Sequence, residues 1–270
     1  MRMLIVDAFT DRPFGGNPAG VCLLEAPADP AWMQRVAAEM RHSETAFVRP
    51  LADADADFEL RWFTPVVEVA LCGHATLATA HALYATGTVP PDRPVRFRTL
   101  RSGVLTVART ADGGLEMDFP ARPPEPAPAP DGLAEALGVP IGWTGRNAEQ
   151  DVIVEVADER TVRELTPDIA ALARIDARGV VPTAAAAPGQ GHDFVSRFFA
   201  ARILEGDGED PVTGSAHCAL APFWAARLGR DELTGYQASA RGGLVGTRLR
   251  GDRVLLSGRA VTVLDGTLTE

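Results

Sequence analysis

The chain has 270 residues, of which 36 are acidic and 26 basic, so its formal net charge is −10. All 26 basic residues are arginine, and the absence of lysine excludes Schiff-base enzymes and P-loop nucleotide sites, which both need a lysine amine. The acidic balance argues against a nucleic-acid partner, because binding to phosphates requires a basic face.

Composition also limits the possible domain architecture and the cellular compartment. The apolar content of 46% is enough for a sizeable core in one large or two medium domains. No stretch approaches the roughly 20 apolar residues of a membrane span. The three cysteines, Cys22, Cys72 and Cys218, show no zinc-like pairing, which favours reduced thiols. We therefore expect a cytoplasmic protein without a membrane partner.

The first part of the chain is predicted to alternate strands and helices. One helix begins after Asp29, which has the residue type of an N-cap, and Pro30 follows in its first turn. A second, apolar helix ends near Gly87. The predicted strands are 2–9, 19–24, 45–48 and 58–63, and the predicted helices are 29–40 and 76–84.

A proline-rich segment then divides the chain. Between Pro120 and Pro130 six of eleven residues are proline, which should prevent the continuation of a helix or a sheet. We therefore predict a linker at 120–131 between an N-terminal lobe at 1–119 and a C-terminal lobe at 132–270. The last strand of the second lobe could cross back to the first.

The second part is predicted to mix short helices and strands. An alanine-, proline- and glycine-rich segment at 183–191 is typical of a loop. The last helix should end at Gly229, and two or three short strands should follow through Val263. The other predicted strands are 152–156, 179–182 and 194–201, and the predicted helices are 132–137, 169–173 and 216–228.

One short pattern occurs on both sides of the linker. It consists of arginine, an aromatic residue and phenylalanine, then a glutamate, then, five residues after the glutamate, a glycine that opens an apolar helix. This repeat predicts two similar lobes related by duplication. Its two copies are 61–63, Glu68 and Gly73, and 197–199, Glu209 and Gly214.

The openings of these two helices are candidate anion sites, because first-turn N–H groups lack partners and face along the positive end of the helix dipole. A small carboxylate is the natural occupant. Asp210 and Ser215 could instead be helix caps, and His74 an ordinary histidine at a helix start. The residues at the two openings are Cys72, Gly73 and His74, and Asp210, Gly214 and Ser215.

Glu44 is the strongest candidate for proton transfer. It precedes the apolar segment 45–48 at the start of a strand, where bordering apolar surface should raise the pKa of its carboxyl into a range useful for acid–base chemistry. The sequence supports no other type of catalytic or binding site as well. The chain has no H-x-x-x-H or C-x-x-C spacing for a metal, no G-x-G-x-x-G for a dinucleotide and no G-x-S-x-G for a serine nucleophile.

Four longer motifs can be compared as a set. They are V-D-A-F-T-D-R-P-F-G-G-N-P-A-G-V at 6–21, S-E-T-A-F-V at 43–48, F-T-P-V-V-E-V-A-L-C-G-H-A-T-L-A at 63–78 and G-E-D-P-V-T-G-S-A-H at 208–217. With R-G-G at 241–243, they resemble the phenazine-biosynthesis isomerase-like (PhzF-like) family. The resemblance implies an α/β fold similar to diaminopimelate epimerase, with two similar lobes, each a curved, mostly antiparallel sheet around a central helix. It also implies an active site between the lobes and a homodimer.

The resemblance implies a function as well. The chain would be an isomerase similar to trans-2,3-dihydro-3-hydroxyanthranilate isomerase, moving a proton on a small carboxylate-bearing substrate without cofactor or metal. Glu44 would be the acid/base, and backbone N–H groups would bind the substrate carboxylate. The implied substrate-binding residues are His74, Asp210, Ser215, Gly73 and Gly214.

Two alternatives stay open. One is an epimerase or racemase of a small amino or hydroxy acid, and the other is a non-catalytic binding protein with a vestigial cleft. A racemase of the related fold uses one thiol in each lobe, just before the glycine that opens the helix. Here Cys72 occupies the first such position, but Thr213 occupies the second, and Cys218 lies a helical turn further on. A two-thiol epimerase is therefore disfavoured, and Cys72 is expected to pack.

Overall fold

The computed structural model describes residues 1–204 and 206–269. Glu205 and Glu270, the last residue of the predicted C-terminal lobe, lie outside the described residues. The chain divides into two compact units, Met1–Asp118 with Ser257–Glu270, and Phe119–Leu256. The proline-rich segment therefore belongs to the second unit, and the last strand belongs to the first, a crossing that the sequence analysis left open. None of the helices in the described part of the chain is long and apolar enough to cross a membrane.

The first unit begins with strands and helices close to those predicted. The Asp29 side chain accepts a hydrogen bond from the Ala31 N–H at 3.0 Å and caps the first helix, which confirms the predicted N-cap. The elements are β1 (Arg2–Ala8), β2 (Asn17–Leu23), α1 (Pro30–Met40), β3 (Glu44–Pro50), β4 (Phe58–Phe63), β5 (Glu68–Val69), α2 (Gly73–Ala85), β6 (Val95–Arg98), β7 (Val104–Arg109) and β8 (Leu115–Pro120).

The second unit follows with shorter elements, and one last strand returns to the first unit. The elements are β9 (Glu125–Pro126), α3 (Leu133–Leu137), β10 (Trp143–Arg146), β11 (Asp151–Glu155), α4 (Glu159–Glu164), α5 (Ile169–Leu172), β12 (Gly179–Ala185), β13 (Phe194–Ser196), α6 (Gly214–Leu228), β14 (Glu232–Gln237), β15 (Gly243–Arg250), β16 (Arg253–Gly258) and β17 (Ala260–Thr267). Strand β17 pairs antiparallel with β1.

The two units repeat the same succession of strand pairings. In the first, β1–β2 is antiparallel, β2–β3 parallel, β3–β4 antiparallel, β4–β6 parallel and β6–β7 antiparallel. In the second, the pairs β10–β11, β11–β12, β12–β13, β13–β14 and β14–β15 follow in the same order of directions. Each sheet is therefore mostly antiparallel, and the shared order supports the duplication that the sequence repeat predicts.

The repeated arginine and glutamate form the same ion pair in each unit. Arg61 Nε and Nη2 donate to the two carboxylate oxygens of Glu68 at 2.7 and 2.8 Å. Arg197 donates to Glu209 in the same way and at the same distances. Each guanidinium also lies over the phenylalanine two residues further on, 5.3 and 4.8 Å from the ring centroids. Such bidentate pairs fix geometry, so each holds the loop that leads to the following helix.

Each unit packs its sheet on one long helix that is apolar on most faces, as a core helix should be. Helix α2 contacts β1, β2, β3 and β17, and α6 contacts β14 and β15. Both helices begin at the glycine of the repeat, Gly73 and Gly214, slightly earlier than predicted. Two units, each with a mixed sheet and a central helix, confirm the predicted α/β class.

The proline-rich segment was wrongly predicted to be free of sheet structure. Strand β9 pairs antiparallel with β10, with Pro126 opposite Gly145 and Glu125 opposite Arg146. Pro126 has no N–H to donate to β10. The next residue, Ala127, donates to the Thr144 carbonyl at 3.2 Å instead. Proline therefore limits this strand to two residues without abolishing it.

Other boundaries differ because tertiary contacts override local composition. The predicted loop at 183–191 begins too early, since β12 continues through Ala185. Its Thr183 is buried, donates to the Val195 carbonyl at 2.7 Å and accepts from Trp224 Nε1 at 2.9 Å. The strand predicted at 194–201 ends at Ser196, and the C-terminal segment holds four strands instead of two or three.

Candidate active site

Three side chains of different chemistry converge where β3 and α2 begin. Glu44 is the first residue of β3, Cys72 is the N-cap of α2 and His74 is its second residue. His74 Nε2 lies 3.4 Å from Glu44 Oε2, and Cys72 Sγ lies 3.5 Å from His74 Nδ1. One nitrogen, oxygen or sulfur atom from each residue lies within 4.8 Å of the others. We call Glu44, Cys72 and His74 the trio; it joins two predicted site residues with a cysteine that was expected to pack and whose role was left open.

Strand pairing brings the trio together. Strand β3 runs parallel to β2 with Glu44 opposite Ala19, and α2 packs on both strands. Asn17, at the start of β2, has its amide Nδ2 3.3 Å from His74 Nδ1. With the Asn17 amide as donor, Nδ1 is the acceptor and the histidine proton is on Nε2, where it faces Glu44. Asn17 lies in the motif at 6–21, but no role in the site was predicted for it.

The histidine of the trio is neutral at physiological pH. Burial, with a smaller contribution from the charge of His42, lowers the pKa of His74 to about 3. The Glu44 side chain keeps 19% of its surface exposed, whereas Cys72 and His74 are buried. The Glu44–His74 contact therefore joins a carboxylate to a neutral imidazole, and no cation in this contact fixes the carboxylate in its charged form.

The start of helix α2 adds polarity from the backbone. Thr76 N–H and its hydroxyl both donate to the Cys72 carbonyl, at 3.1 and 2.6 Å. Within the described residues, the N–H groups of Gly73, His74 and Ala75 have no acceptor. The positive end of the α2 dipole thus lies beside the trio and can bind an anion.

Helix α6 opens in a similar way in the second unit. Thr213 is its N-cap, but it makes no side-chain cap bond, because its hydroxyl donates to Asp210 Oδ2. Thr213, and not Asp210 or Ser215, therefore occupies the N-cap position of α6. The N–H groups of Gly214, Ser215 and Ala216 have no acceptor among residues 1–204 and 206–269.

Ser215 contacts a buried ion network that sequence analysis missed. Arg178 Nη2 lies 3.0 Å from Ser215 Oγ, 2.5 Å from Asp151 Oδ2 and 3.1 Å from Glu149 Oε2. Asp151 is fully buried, and this burial raises the pKa of its carboxyl although Arg178 and Asn147 oppose the shift. The network orients the Ser215 hydroxyl, because an oxygen that accepts from Arg178 keeps its own proton for another acceptor.

The second unit replaces the glutamate of the trio. In the parallel pair β11–β12, Gly179 lies opposite Asp151, as Glu44 lies opposite Ala19 in β2–β3. A Cβ on Gly179 would be 2.4 Å from the Phe198 ring, so no larger residue fits there. Glu44 lies 17 residues before the repeat arginine Arg61, and Gly179 lies 18 residues before the repeat arginine Arg197. This similar spacing was the sequence signal that the two positions correspond. Equivalent positions in the two units therefore carry different chemistry.

The remaining histidine and cysteine of α6 are core groups. His217 is fully buried, its Nδ1 donates to the Thr213 carbonyl at 2.8 Å, and burial lowers its pKa to about 4. Burial raises the pKa of Cys218 to about 12. A thiol with that pKa cannot serve as a base near neutral pH, which agrees with the absence of a cysteine at Thr213 and argues against a two-thiol epimerase.

We expect His217→Gln to reduce the acid sensitivity of the fold. Between about pH 5.5 and 4.5, an unfolded histidine is protonated while the buried His217 is not, so stability falls as the pH falls. One such group contributes about 1.4 kcal/mol per pH unit in this window. Denaturant unfolding at several pH values measures how steeply the free energy of unfolding falls with pH, and this slope should be smaller in the variant by that amount. An unchanged slope would show that His217 does not titrate as its burial requires.

Two surface cavities of the first unit lie away from the trio. One, of about 260 Å³, is lined by His81, Tyr84 and Arg109 among others, and the second, of about 490 Å³, lies beside Asp57 and Arg93. Neither is lined by a predicted site residue, so the candidate site rests on the chemistry and contacts of the trio.

Comparison with known proteins shows which proteins this chain is similar to. A sequence profile described as "Phenazine biosynthesis-like protein" (PhzC-PhzF) matches residues 6–266. An uncharacterized isomerase of Pseudomonas aeruginosa is 50% identical over 97% of this chain and 96% of its own length. One of Halalkalibacterium halodurans is 44% identical, covering 98% and 97%. The crystal structure of a PhzF-family phenazine biosynthesis protein from Enterococcus faecalis has a TM-score of 0.89 at 38% identity and covers 98% and 97%.

Proposed function

The chain belongs to the phenazine biosynthesis-like (PhzC-PhzF) family and is an isomerase, and we propose that it moves a proton on a small carboxylate-bearing substrate with Glu44 as the acid/base. The observation that carries this proposal is the partly exposed Glu44 carboxylate, 3.4 Å from a neutral His74. A carboxyl group that meets both substrate and solvent can give and take protons, which is the property that general acid–base catalysis needs.

The proposed step is a proton transfer within one substrate molecule. The Glu44 carboxylate takes a proton from one carbon, the carboxylic acid so formed exchanges with solvent through its exposed part, and it then gives a proton to a second carbon while the double bonds shift between the two carbons. Glu44 ends the cycle in its starting form, and no oxidation or reduction occurs. The step therefore needs no cofactor. As part of this proposal, the reaction resembles that of trans-2,3-dihydro-3-hydroxyanthranilate isomerase.

His74 is proposed to orient Glu44. Its Nε2–H faces the carboxylate, while Asn17 binds the other ring nitrogen. Because His74 stays neutral, it supplies a hydrogen bond without the charge that would hold Glu44 permanently ionised.

The substrate-binding part of the proposal rests on the helix openings. Backbone N–H groups that have no acceptor among the described residues suit a substrate carboxylate, and the dipole of each helix adds to their attraction. The Ser215 hydroxyl, which accepts from Arg178, keeps a proton to donate. We propose that the substrate-binding groups are His74, Asp210, Ser215 and the backbone at Gly73 and Gly214.

The spacing within the trio favours transfer on one face of the substrate. Two groups that act on opposite faces of one carbon, each about 3 to 3.5 Å from it, are about 6 to 7 Å apart. The nearest ligand atoms of Glu44 and Cys72 lie within 4.8 Å of each other. This pair is therefore too close to flank a carbon, and the geometry supports an isomerase over an epimerase that would use Glu44 and Cys72 together.

Deuterium exchange tests the proposed function. The full chain, freed of metals with a chelator, is incubated in deuterated water with trans-2,3-dihydro-3-hydroxyanthranilate and with a panel of small amino and hydroxy acids. An isomerase incorporates deuterium at a new carbon and shifts a double bond, which proton NMR detects. Exchange only at Cα, with loss of optical rotation, would show an epimerase, and absence of exchange from the whole panel would contradict the proposal.

A further inference from the structure

The trio combines the three side-chain types that bind zinc in proteins. Cys72 offers a sulfur, His74 an imidazole nitrogen and Glu44 a carboxylate oxygen, all within 4.8 Å of one another. Among the described residues, no other group of three or more such side chains is this close. The residues are separated in sequence by 28 and two positions, which is why spacing motifs do not show the set.

The distances match a tetrahedral ion. Zinc bonds of about 2.3 Å to sulfur and 2.0 to 2.2 Å to nitrogen and oxygen place neighbouring ligand atoms about 3.4 to 3.6 Å apart. His74 Nε2 lies 3.4 Å from Glu44 Oε2 and 4.0 Å from Cys72 Sγ. Small rotations of the cysteine and glutamate side chains therefore suffice to bring all three atoms to one ion, and the fourth position stays open.

The surroundings hold the ligands in place. With a metal on Nε2 the ring proton of His74 moves to Nδ1, and a 180° turn of the Asn17 amide, which lies 3.3 Å away, lets its oxygen accept that proton and fix the ring. The Cys72 carbonyl is fixed by two hydrogen bonds from Thr76. Glu44, the partly exposed member, gives an ion its path from solvent.

We propose that Glu44, Cys72 and His74 form a binding site for a thiophilic divalent cation of the Zn²⁺ type, and that its occupancy inhibits the enzyme. Binding converts the Cys72 thiol to a thiolate bound to the metal and releases one proton to solvent, with no change of oxidation state. Glu44 is then a ligand and cannot exchange protons with substrate. The inhibition, though not the binding, rests on the proposed function of Glu44.

Cobalt is a suitable spectroscopic probe because Co²⁺ takes zinc sites and a cobalt–thiolate bond gives a near-ultraviolet charge-transfer band. Titration of the metal-free full chain with Co²⁺ should produce this band with a 1:1 end point, and added Zn²⁺ should abolish it by displacement. Mg²⁺ should not compete, since it prefers oxygen ligands. The absence of the band in the wild-type chain would overturn the proposal.

Cysteine variants identify the ligand. Cys72→Ser should lose the band and weaken Zn²⁺ binding, measured by calorimetry, by at least the 10- to 100-fold that loss of an outer-shell partner costs. Cys218→Ser is the matched control, because that buried thiol lies outside the trio and its variant should keep the band. Cys72→Ala, checked for an unchanged thermal midpoint without metal, guards against a folding defect. Retention of the band in both Cys72 variants would assign the site elsewhere.

Activity separates this inference from the proposed function. Stoichiometric Zn²⁺ should stop deuterium exchange on the acid that the panel identifies, and a chelator should restore it. A cobalt band without any loss of exchange would uphold the metal site and contradict Glu44 as the acid/base. No exchange from the whole panel would count against the proposed function, while the spectrum alone would still decide the metal site.

Discussion

Replacing Glu44 with glutamine is expected to lower the rate of deuterium exchange into substrate by about 10²- to 10⁴-fold, the usual contribution of a general acid–base group. The change removes about 2.7 to 5.5 kcal/mol of transition-state stabilisation. Glutamine has the shape of glutamate and can still contact His74, but its amide does not exchange a proton with carbon. The measurement is the initial rate of deuterium incorporation by proton NMR at saturating substrate.

Two controls make the result specific to proton transfer. Thermal-shift titration with the same substrate should give a similar affinity for Glu44→Gln and the wild-type chain, because the backbone amides of α2 are unchanged. Glu39→Gln removes an exposed carboxylate from α1 and should leave exchange at the wild-type rate. A Glu44→Gln rate close to wild type would remove Glu44 from the mechanism.

His74 is the natural rival for the role of acid/base, and its environment argues against it. Burial lowers its pKa to about 3, so near neutral pH it has no proton to give as an imidazolium. Its Nδ1 contacts Asn17, which leaves only Nε2 toward Glu44. A pH–rate profile governed by His74 would have its midpoint near pH 3, far below the ordinary histidine value.

Local sequence signals predicted the elements whose ends depend on local chemistry. Asp29 and Gly229 bound their helices as expected, because an N-cap oxygen and a left-handed glycine act through neighbouring backbone groups. Strand β9 and the continuation of β12 through Ala185 were missed, because distant partners, strand β10 for one and Val195 and Trp224 for the other, stabilise them. Apolar alternation carries no information on such partners.

The site was predicted where it follows a motif and missed where it follows strand pairing. Glu44 and His74 lie in the quoted motifs, and the structure places His74 Nε2 3.4 Å from Glu44 Oε2. Cys72 was placed at the helix opening by the motif, and its contact with His74 follows from its position as the N-cap of α2. Arg178 and Asp151 came together only through the parallel pairing of β11 with β12, which sequence spacing does not show.

Replacing Arg178 with methionine is expected to destabilise the second unit by about 3 kcal/mol near neutral pH. Loss of one partner from a buried ion pair typically costs about 3 to 5 kcal/mol, and the lower end applies because 35% of the Arg178 side chain is exposed to water. Methionine keeps most of the apolar stem, so the cost comes from the carboxylate of Asp151, which is fully buried. Denaturant unfolding of the two proteins measures the difference.

The pH dependence of that difference identifies Asp151 as its source. Burial already raises the pKa of Asp151 in the folded chain, and removing Arg178 removes the largest opposing influence, so the folded pKa rises further. A raised folded pKa means that stability is regained as the pH falls through it toward the unfolded value near 4. The penalty of Arg178→Met should therefore shrink steadily with acidification.

A double-mutant cycle completes the test of the Arg178–Asp151 pair. In the Asp151→Asn background no buried charge is left behind, so Arg178→Met should cost less than about 1 kcal/mol, and the coupling energy should be about 2 to 3 kcal/mol, within the range for residues in one network. If Arg178→Met lowers the free energy of unfolding equally in the wild-type and Asp151→Asn backgrounds at every pH, the Arg178–Asp151 interaction is contradicted. Arg178 would then matter through its contacts with Ser215 and the Phe198 ring, and the expected loss would appear in substrate binding instead of stability.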